Sequence, residues 1–363
     1  MSPSQITFRE VCEDDCPAVV ELRRRVDDLP VPEKISTEFW QWENLRNPFG
    51  VSTAVVAVSE GRLVSHMSAL PRRLVVDGRP HPCSHVVEAM TDRALRRSMV
   101  FLRLGHRLER LLCEQGRELF YCFPNRSSRS IFQRGFKWMD AGSSRLWLYP
   151  LRPGRVLASR PGALARALAP LAVPAGVLYR GLFAFRSSGR VETADKFDDR
   201  FQGLLDEVHR RGPVVLERTV DYLNWRYCRA VARKYTVLCL PGEGGESVDG
   251  YLVYRRLRHE GVELGVVMDL QVRESATHGP AGLLLCTALA QMDSSGAQAA
   301  LCLLTSSDPL SRSLARSGFI PVPRRLNPNP LDFMIKPVGA GLKPAFICDP
   351  ANWRLSFGDN DVF

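Results

Sequence analysis

Apolar and polar positions alternate in short runs along the first part of the chain, and the period of that alternation changes from stretch to stretch. Residues 6–11 read as a strand. Residues 17–26 space Val19, Val20 and Leu22 as a helix does, and residues 38–44 carry Phe39, Trp40 and Trp42 on a second helical segment. Residues 53–59 and 62–70 are β-rich runs parted by Glu60-Gly61, and residues 73–76 precede the turn Asp77-Gly78, so a meander of hairpins is expected. After a strand over 86–90, Val100, Leu104, Leu108 and Leu111 form one stripe of a long helix, with Arg103, Arg107 and Arg110 off it. Gly116 ends that helix. A strand over 119–123, the pair Pro124-Asn125, a short helix over 128–133 and Gly135-Phe136 follow.

Residues 151–191 break the pattern: Arg152, Arg155, Arg160, Arg166, Arg180, Arg186 and Arg190 punctuate Ala, Leu, Pro and Gly, with no strand signal. A linker is expected there, either a covering helix or an amphipathic segment over 156–186 able to touch a membrane surface. From Val214 the strand-and-helix pattern resumes, with strands over 235–240, 250–255, 262–272 and 299–305 and helices over 282–292 and 309–316. The two halves then match in order. The strand over 86–90, the long helix, Gly116, the strand ending at Phe123, the short helix and Gly135-Phe136 correspond to the strand over 266–270, a helix, Gly296, a strand ending near Leu304, a short helix and Gly318-Phe319. Two copies of one α/β unit are expected, over residues 1–150 and 192–340, with a linker over 151–191 and a tail over 341–363.

The order of meander, strand, long helix, strand, short helix and Gly-Phe resembles the Gcn5-related N-acetyltransferase (GNAT) superfamily in a tandem arrangement. The resemblance implies two GNAT-like domains, each a mixed, mostly antiparallel twisted sheet flanked by helices. Residues 91–101 (T-D-R-A-L-R-R-S-M-V-F) resemble that family's acyl-CoA pyrophosphate loop, and Phe123-Pro124-Asn125 with Phe132 and Gly135-Phe136 resembles its second signature. A helix N-terminus offers unpaired N–H groups and a positive dipole end to phosphate, and arginines there add charge. The resemblance therefore assigns Met90, Thr91, Arg96, Arg97, Ser98, Met99 and Asn125 to donor binding, with Gly279 and Gly282 in the second half. Met99 stands where the family has a glycine.

In the resembled family a carboxylate on the strand before the loop acts as general base; Glu88 is its match, and Asp269 its counterpart in the second half. The family's tyrosine on the short helix is replaced by Phe132 and Leu314, and Tyr121 is the substitute acid. These roles suit direct acyl transfer from acetyl-CoA or another acyl-CoA, or from an acyl carrier protein, to an amine of a small molecule or amino sugar. Tyr222-Leu223-Asn224-Trp225-Arg226-Tyr227 and the tail over 352–361 resemble segments of GNAT-like proteins associated with bacterial polysaccharide or secondary-metabolite biosynthesis. Two other readings are open: a FemABX-like aminoacyltransferase fed by charged tRNA, and a non-catalytic GNAT-fold binding module.

Composition changes this picture little. In 363 residues the apolar share of 45% and charged share of 24% are those of a globular chain. The apolar run over 167–179 is short for a membrane span and is interrupted by Pro170 and Pro174, and the first residues lack a leader pattern, so a cytoplasmic location is expected. The net charge of +10 comes from arginine and suits an anionic partner; DNA is not expected. The 10 cysteines are scattered singly through apolar runs, Cys12 and Cys16 excepted, so neither a metal nor a disulfide framework is expected.

Overall fold

A computed structural model describes residues 6–27, 32–96, 98–159, 163–183, 190–274, 279–305, 307–327 and 331–360. The chain order begins β1 (Thr7–Glu10), α1 (Cys16–Val26), α2 (Thr37–Leu45), β2 (Thr53–Ser59), β3 (Arg62–Val76), β4 (Arg79–Thr91), α3 (Val100–Glu114), β5 (Leu119–Cys122), α4 (Arg129–Arg134) and β6 (Met139–Ser143). It continues through β7 (Arg145–Tyr149), α5 (Pro153–Ser159), α6 (Ala163–Leu182), β8 (Glu192–Ala194), α7 (Gln202–Arg211), β9 (Val214–Leu216), α8 (Val220–Leu223), β10 (Thr236–Pro241), β11 (Val248–His259) and β12 (Val262–Val272). It closes with α9 (Gly279–Ser294), β13 (Ala299–Leu304), α10 (Leu310–Arg316), β14 (Ile320–Pro321), β15 (Asp332–Pro337), α11 (Pro344–Ile347) and β16 (Trp353–Arg354).

Two compact units result. The first comprises residues 1–142, 229–233 and 331–349, around a sheet in the order β1-β2-β3-β4-β5-β15-β6. β1 with β2, β2 with β3, β3 with β4 and β5 with β15 are antiparallel, whereas β4 with β5 is parallel. The stripe Val100, Leu104, Leu108 and Leu112 of α3 buries against Val55, Ala57, Ala69 and Val86 on one face. On the other face Cys16, Val19, Leu22 and Val26 of α1 meet Val56 and Met90. Alternation along each strand thus serves two cores, which is why β2 is apolar at every position from Ala54 to Ala57.

The second unit comprises residues 143–228, 234–330 and 350–363, with a sheet in the order β14-β7-β13-β12-β11-β10-β8 and the parallel pairing of β9 with β16. Its core joins Leu284, Leu285, Ala288 and Met292 of α9 to Leu252, Val267 and Cys302. β12 and β13 are parallel, as β4 and β5 are in the first unit.

The division is interleaved rather than contiguous at 150, 192 and 340. The strand over 145–149 pairs with β13 and belongs to the second unit, whereas β15 pairs with β5 and belongs to the first. The expected tail over 341–363 is likewise shared, residues 341–349 going to the first unit and 350–363 to the second. Backbone hydrogen bonding between distant segments decides this, and local periodicity carries no record of it. The two β-runs over 62–70 and 73–76 are one strand, β3; Pro71 lies opposite Ser84 and its carbonyl accepts from Asn47. The 151–191 stretch holds α5 and α6 of the second unit. The Tyr179 hydroxyl donates to the Gly318 carbonyl at 2.5 Å, while Val173, Val177, Leu178 and Leu182 are exposed. Arg160 and Arg186 of that stretch lie outside the described residues, and no described helix is long and apolar enough to cross a membrane.

Gly105 marks the tightest packing of α3, since a methyl group there would lie 2.3 Å from the Phe136 ring. Gly105→Ala gains helix propensity but overpacks this contact, so it lowers stability by about 1–3 kcal/mol less that gain. Urea unfolding of the two forms measures it.

Candidate active site

In the first unit β4 and β5 pair only at Cys83↔Leu119, Ser84↔Phe120 and His85↔Tyr121. β4 then runs on to Thr91 bonded to β3, while β5 turns towards β15 through Cys122↔Met334. The two parallel strands part, leaving a fork whose β4 side has backbone groups without β5 partners. A β-bulge lies on the β4 arm: Ser68 pairs with Val87 and His66 with Met90, so Met67 faces both Glu88 and Ala89. Glu88 holds φ +54°, a left-handed conformation unusual for a side-chain-bearing residue.

Three side chains surround that bulge. The Glu88 carboxylate is 2% exposed and takes a hydrogen bond from an Arg23 Nη at 2.5 Å. Its other oxygen, Oε2, accepts no hydrogen bond among the described residues, with His66 Nδ1 4.0 Å away. His66 is fully buried, and its Nδ1 lies 3.2 Å from the Glu88 carbonyl. A carbonyl only accepts, so the proton sits on Nδ1 and the buried Nε2 carries a bare lone pair. Burial pushes the His66 imidazole below its ordinary value, opposed by the Glu88 carboxylate and carbonyl, so it is neutral at pH 7.

The second unit repeats the frame with a different filling. β12 and β13 pair from Leu264↔Ala299 to Val267↔Cys302 and then separate, and β12 bulges at Met268, between Tyr254↔Val267 and Val253↔Asp269. Asp269 is 1% exposed and fully engaged: Arg218 Nε donates at 2.7 Å, the Tyr251 hydroxyl at 2.9 Å and Gln271 Nε2 at 3.0 Å. Arg218 also donates to Asp359 at 2.9 Å, which draws the buried turn Phe357–Asp359 against this strand. A methyl group on Gly358 would lie 3.2 Å from the Met268 carbonyl and collide with the Tyr227 hydroxyl. The turn Phe357–Asp359 therefore lies against the second bulge, and both Asp269 oxygens accept hydrogen bonds.

Residues 7–139 match the family model of the acetyltransferase (GNAT) domain. This part of the chain is a GNAT domain. No curated protein sequence matches the chain. Among solved structures, the GCN5-related N-acetyltransferase of Anabaena variabilis ATCC 29413 superposes with a TM-score of 0.62 at 13% identity, covering 92% of this chain and 72% of that one. Saccharomyces cerevisiae N-myristoyltransferase with bound myristoyl-CoA gives 0.61 at 13% identity, covering 95% and 88%. A GCN5-related N-acetyltransferase of Kribbella flavida gives 0.58 at 15% identity, covering 93% and 72%. At these identities the likeness is one of fold, and it extends over both units. The GNAT domain together with these neighbours supports an acyltransferase.

Within the GNAT domain the other expected site residues divide. Met99 caps α3 and is 63% exposed, and Ser98 beside it donates to the Leu95 carbonyl at 2.7 Å and accepts from Val100 N at 3.3 Å. Arg96 reaches the Val26 carbonyl at 3.0 Å, and Arg97 lies outside the described residues. Met90 is buried in the α1-facing core, and Thr91 shares a 2.8 Å hydrogen bond with Ser65; both support the sheet from within. Asn125 Oδ1 accepts from Ser127 N at 3.1 Å and Ser128 N at 3.0 Å, closing the turn into α4. Tyr121 is wholly buried and stacked 4.5 Å from the His85 ring, at the last paired position before the strands part. Gly279 opens α9 and Gly282 is buried within it, both in the second unit. Among the described residues no group of three or more His, Cys, Asp and Glu could hold a metal ion, and all 10 cysteines are free thiols.

Arg23 and His66 escape a reading of motifs. Arg23 does leave a trace, because it stands on the apolar stripe of α1, four residues after Val19 and three before Val26. An arginine there must meet a buried partner. Arg23→Met strips Glu88 of its counter-charge and should cost about 3–5 kcal/mol of stability, read by denaturant unfolding, with Glu88→Gln in the same background recovering part of it. The His66 value is depressed on folding, so the unfolded chain takes up a proton first as pH falls. Its contribution is fully present above about 6.5 and lost below it. His66→Gln should flatten the loss of thermal midpoint between pH 7 and 5, measured side by side with the parent.

Proposed function

We propose that the protein is an N-acyltransferase that moves an acyl group from an acyl-CoA thioester onto an amine of a small molecule, with its donor cleft in the GNAT domain. The parting of β4 from β5 beside the Glu88 bulge carries this reading. An extended pantetheine arm needs a slot with unpaired backbone groups along one side, and the β4 arm beyond His85 provides them. The donor's phosphates suit the N-terminus of α3, where helix N–H groups and the dipole favour an anion, with Arg96 and Arg97 nearby in the chain.

The chemistry needs no covalent enzyme intermediate. The amine attacks the thioester carbonyl, a C–N bond forms and the C–S bond breaks, and CoA departs as a thiolate that takes a proton from solvent. Glu88 takes the proton lost by the amine, through Oε2, while Arg23 holds its partner oxygen in place. Backbone N–H groups on the open side of β4 face the developing oxyanion. Asp269 does not duplicate this role, because its oxygens are occupied and the C-terminal turn lies against its strand.

Thermal melting across acetyl-CoA, longer acyl-CoAs and free CoA tests the donor, since a ligand of the folded state raises the midpoint. A rise is expected with CoA species, reduced by Met99→Glu, which sets a negative charge at the α3 N-terminus. Glu88→Gln should keep that rise and lose roughly 10²–10⁴-fold in turnover. No shift with any CoA species would overturn the donor assignment, and full turnover in Glu88→Gln would overturn the base.

A further inference from the structure

Residues 141–191 hold eight arginines and no Asp, Glu or Lys, so eight of the ten net positive charges of the chain fall in this one stretch. α6 runs through it, and its 20 residues carry no polar side chain but those of Arg166, Tyr179 and Arg180. A helix so apolar has more than one face to keep from water. Its inner face is covered within the second unit. The Tyr179 ring meets that of Tyr149 at 5.7 Å while its hydroxyl holds the Gly318 carbonyl, and Gly176 is buried against the Pro153 ring of α5, where a methyl group would lie 2.8 Å away.

The outer face lies open. Val173, Val177, Leu178 and Leu182 are 56%, 56%, 66% and 71% exposed, and Pro170 and Pro174 beside them are exposed as well. Contiguous aliphatic surface of this kind marks a site of contact rather than a face meant for water. Steps of four and three residues join positions 166, 170, 173, 177 and 180, so the helical period sets an arginine position at either end of the apolar line. Arg155 of α5 is exposed, lines a groove with Val173 and Val177, and has no carboxylate partner among the described residues. Asp293, the acid at that groove, is already held by Arg152, whose Nε donates to it at 3.0 Å.

Uncompensated positive charge beside exposed aliphatic surface selects among occupants. A second copy docked about a twofold axis would set this arginine-rich stretch against itself. A nucleic acid would satisfy the charge and leave the aliphatic line facing phosphates. An anionic bilayer offers both partners, acidic headgroups above an acyl interior, and arginines at its surface keep their stems in the apolar layer and their guanidiniums among the headgroups. We propose that the outer face of α6 docks on an anionic membrane surface. The helix lies in the membrane plane, because Tyr179 and Gly176 hold its inner side along the second unit, with Val173, Val177, Leu178 and Leu182 among the acyl chains and Arg155 on headgroup phosphates. This surface is separate from the acyl-transfer reading and survives that reading's failure.

The test is co-sedimentation of the full chain with vesicles of phosphatidylcholine alone and of equimolar phosphatidylcholine and phosphatidylglycerol, at low and high salt. Binding to the mixed vesicles is expected, reduced by salt and much weaker on phosphatidylcholine. The double variant Leu178→Ser, Leu182→Ser keeps every charge and should partition at least roughly tenfold less, while Arg155→Gln should lose about fivefold on the mixed vesicles alone. Both leucines are exposed, so the double variant should melt with the parent; if it melts far below it, Val173→Ser and Arg155→Gln decide instead. No binding to the mixed vesicles, equal binding to both kinds, or full binding by the double variant would overturn the proposal. Dimerisation of the parent without vesicles, abolished in the double variant, would make a second copy the occupant and also overturn it.

Discussion

Each unit sets a buried arginine against a carboxylate at or beside the bulge of its central strand. Arg23 reaches Glu88 from α1, and Arg218 reaches Asp269 from the segment after β9. Removing two charges from water is costly, and the cost is recovered only in a closely defined geometry. The pair therefore tolerates little movement of the helix or segment over the strand. In the first unit it also restrains Glu88 in a conformation that a lone glutamate disfavours, with His66 bonded to the same residue's carbonyl. The strand cannot straighten while those bonds hold, so the fork between β4 and β5 is built into the native state rather than formed on demand.

The same frame has two outcomes because of what completes the carboxylate's coordination. Glu88 is left with one oxygen lacking a partner among the described residues. Asp269 accepts from Arg218, Tyr251 and Gln271, and Arg218 spans on to Asp359 in the C-terminal turn. A fully satisfied buried network is rigid and inert, whereas a carboxylate with a spare lone pair can take a proton. Duplication of the fold thus leaves one copy with a carboxylate oxygen that has no partner among the described residues, and in the other the turn Phe357–Asp359 lies against the corresponding strand.

The order of elements was determined by sequence alone. The helical stripe of α3, the turns at Glu60-Gly61 and Asp77-Gly78, and the repeated succession ending at Gly135-Phe136 and Gly318-Phe319 follow from periods of 3.6 and 2 and from the φ values glycine permits. Glu88 was legible as a carboxylate on the strand before the loop, and Met99 as the residue at the helix entrance. Tertiary structure alone decided where the sheets exchange strands, for β15 joins the first unit and β7 the second through pairings of residues far apart in the chain. It also decided that Tyr121 is wholly buried, that Thr91 and Asn125 bond within the protein, and that Asp269 lies in a closed network. The reason is physical: a residue's type and its neighbours set which local conformation it favours, but whether a polar side chain is satisfied depends on partners brought in from elsewhere. Arg23 lies 65 positions from Glu88 and Asp359 141 from Arg218, and only folding brings them together.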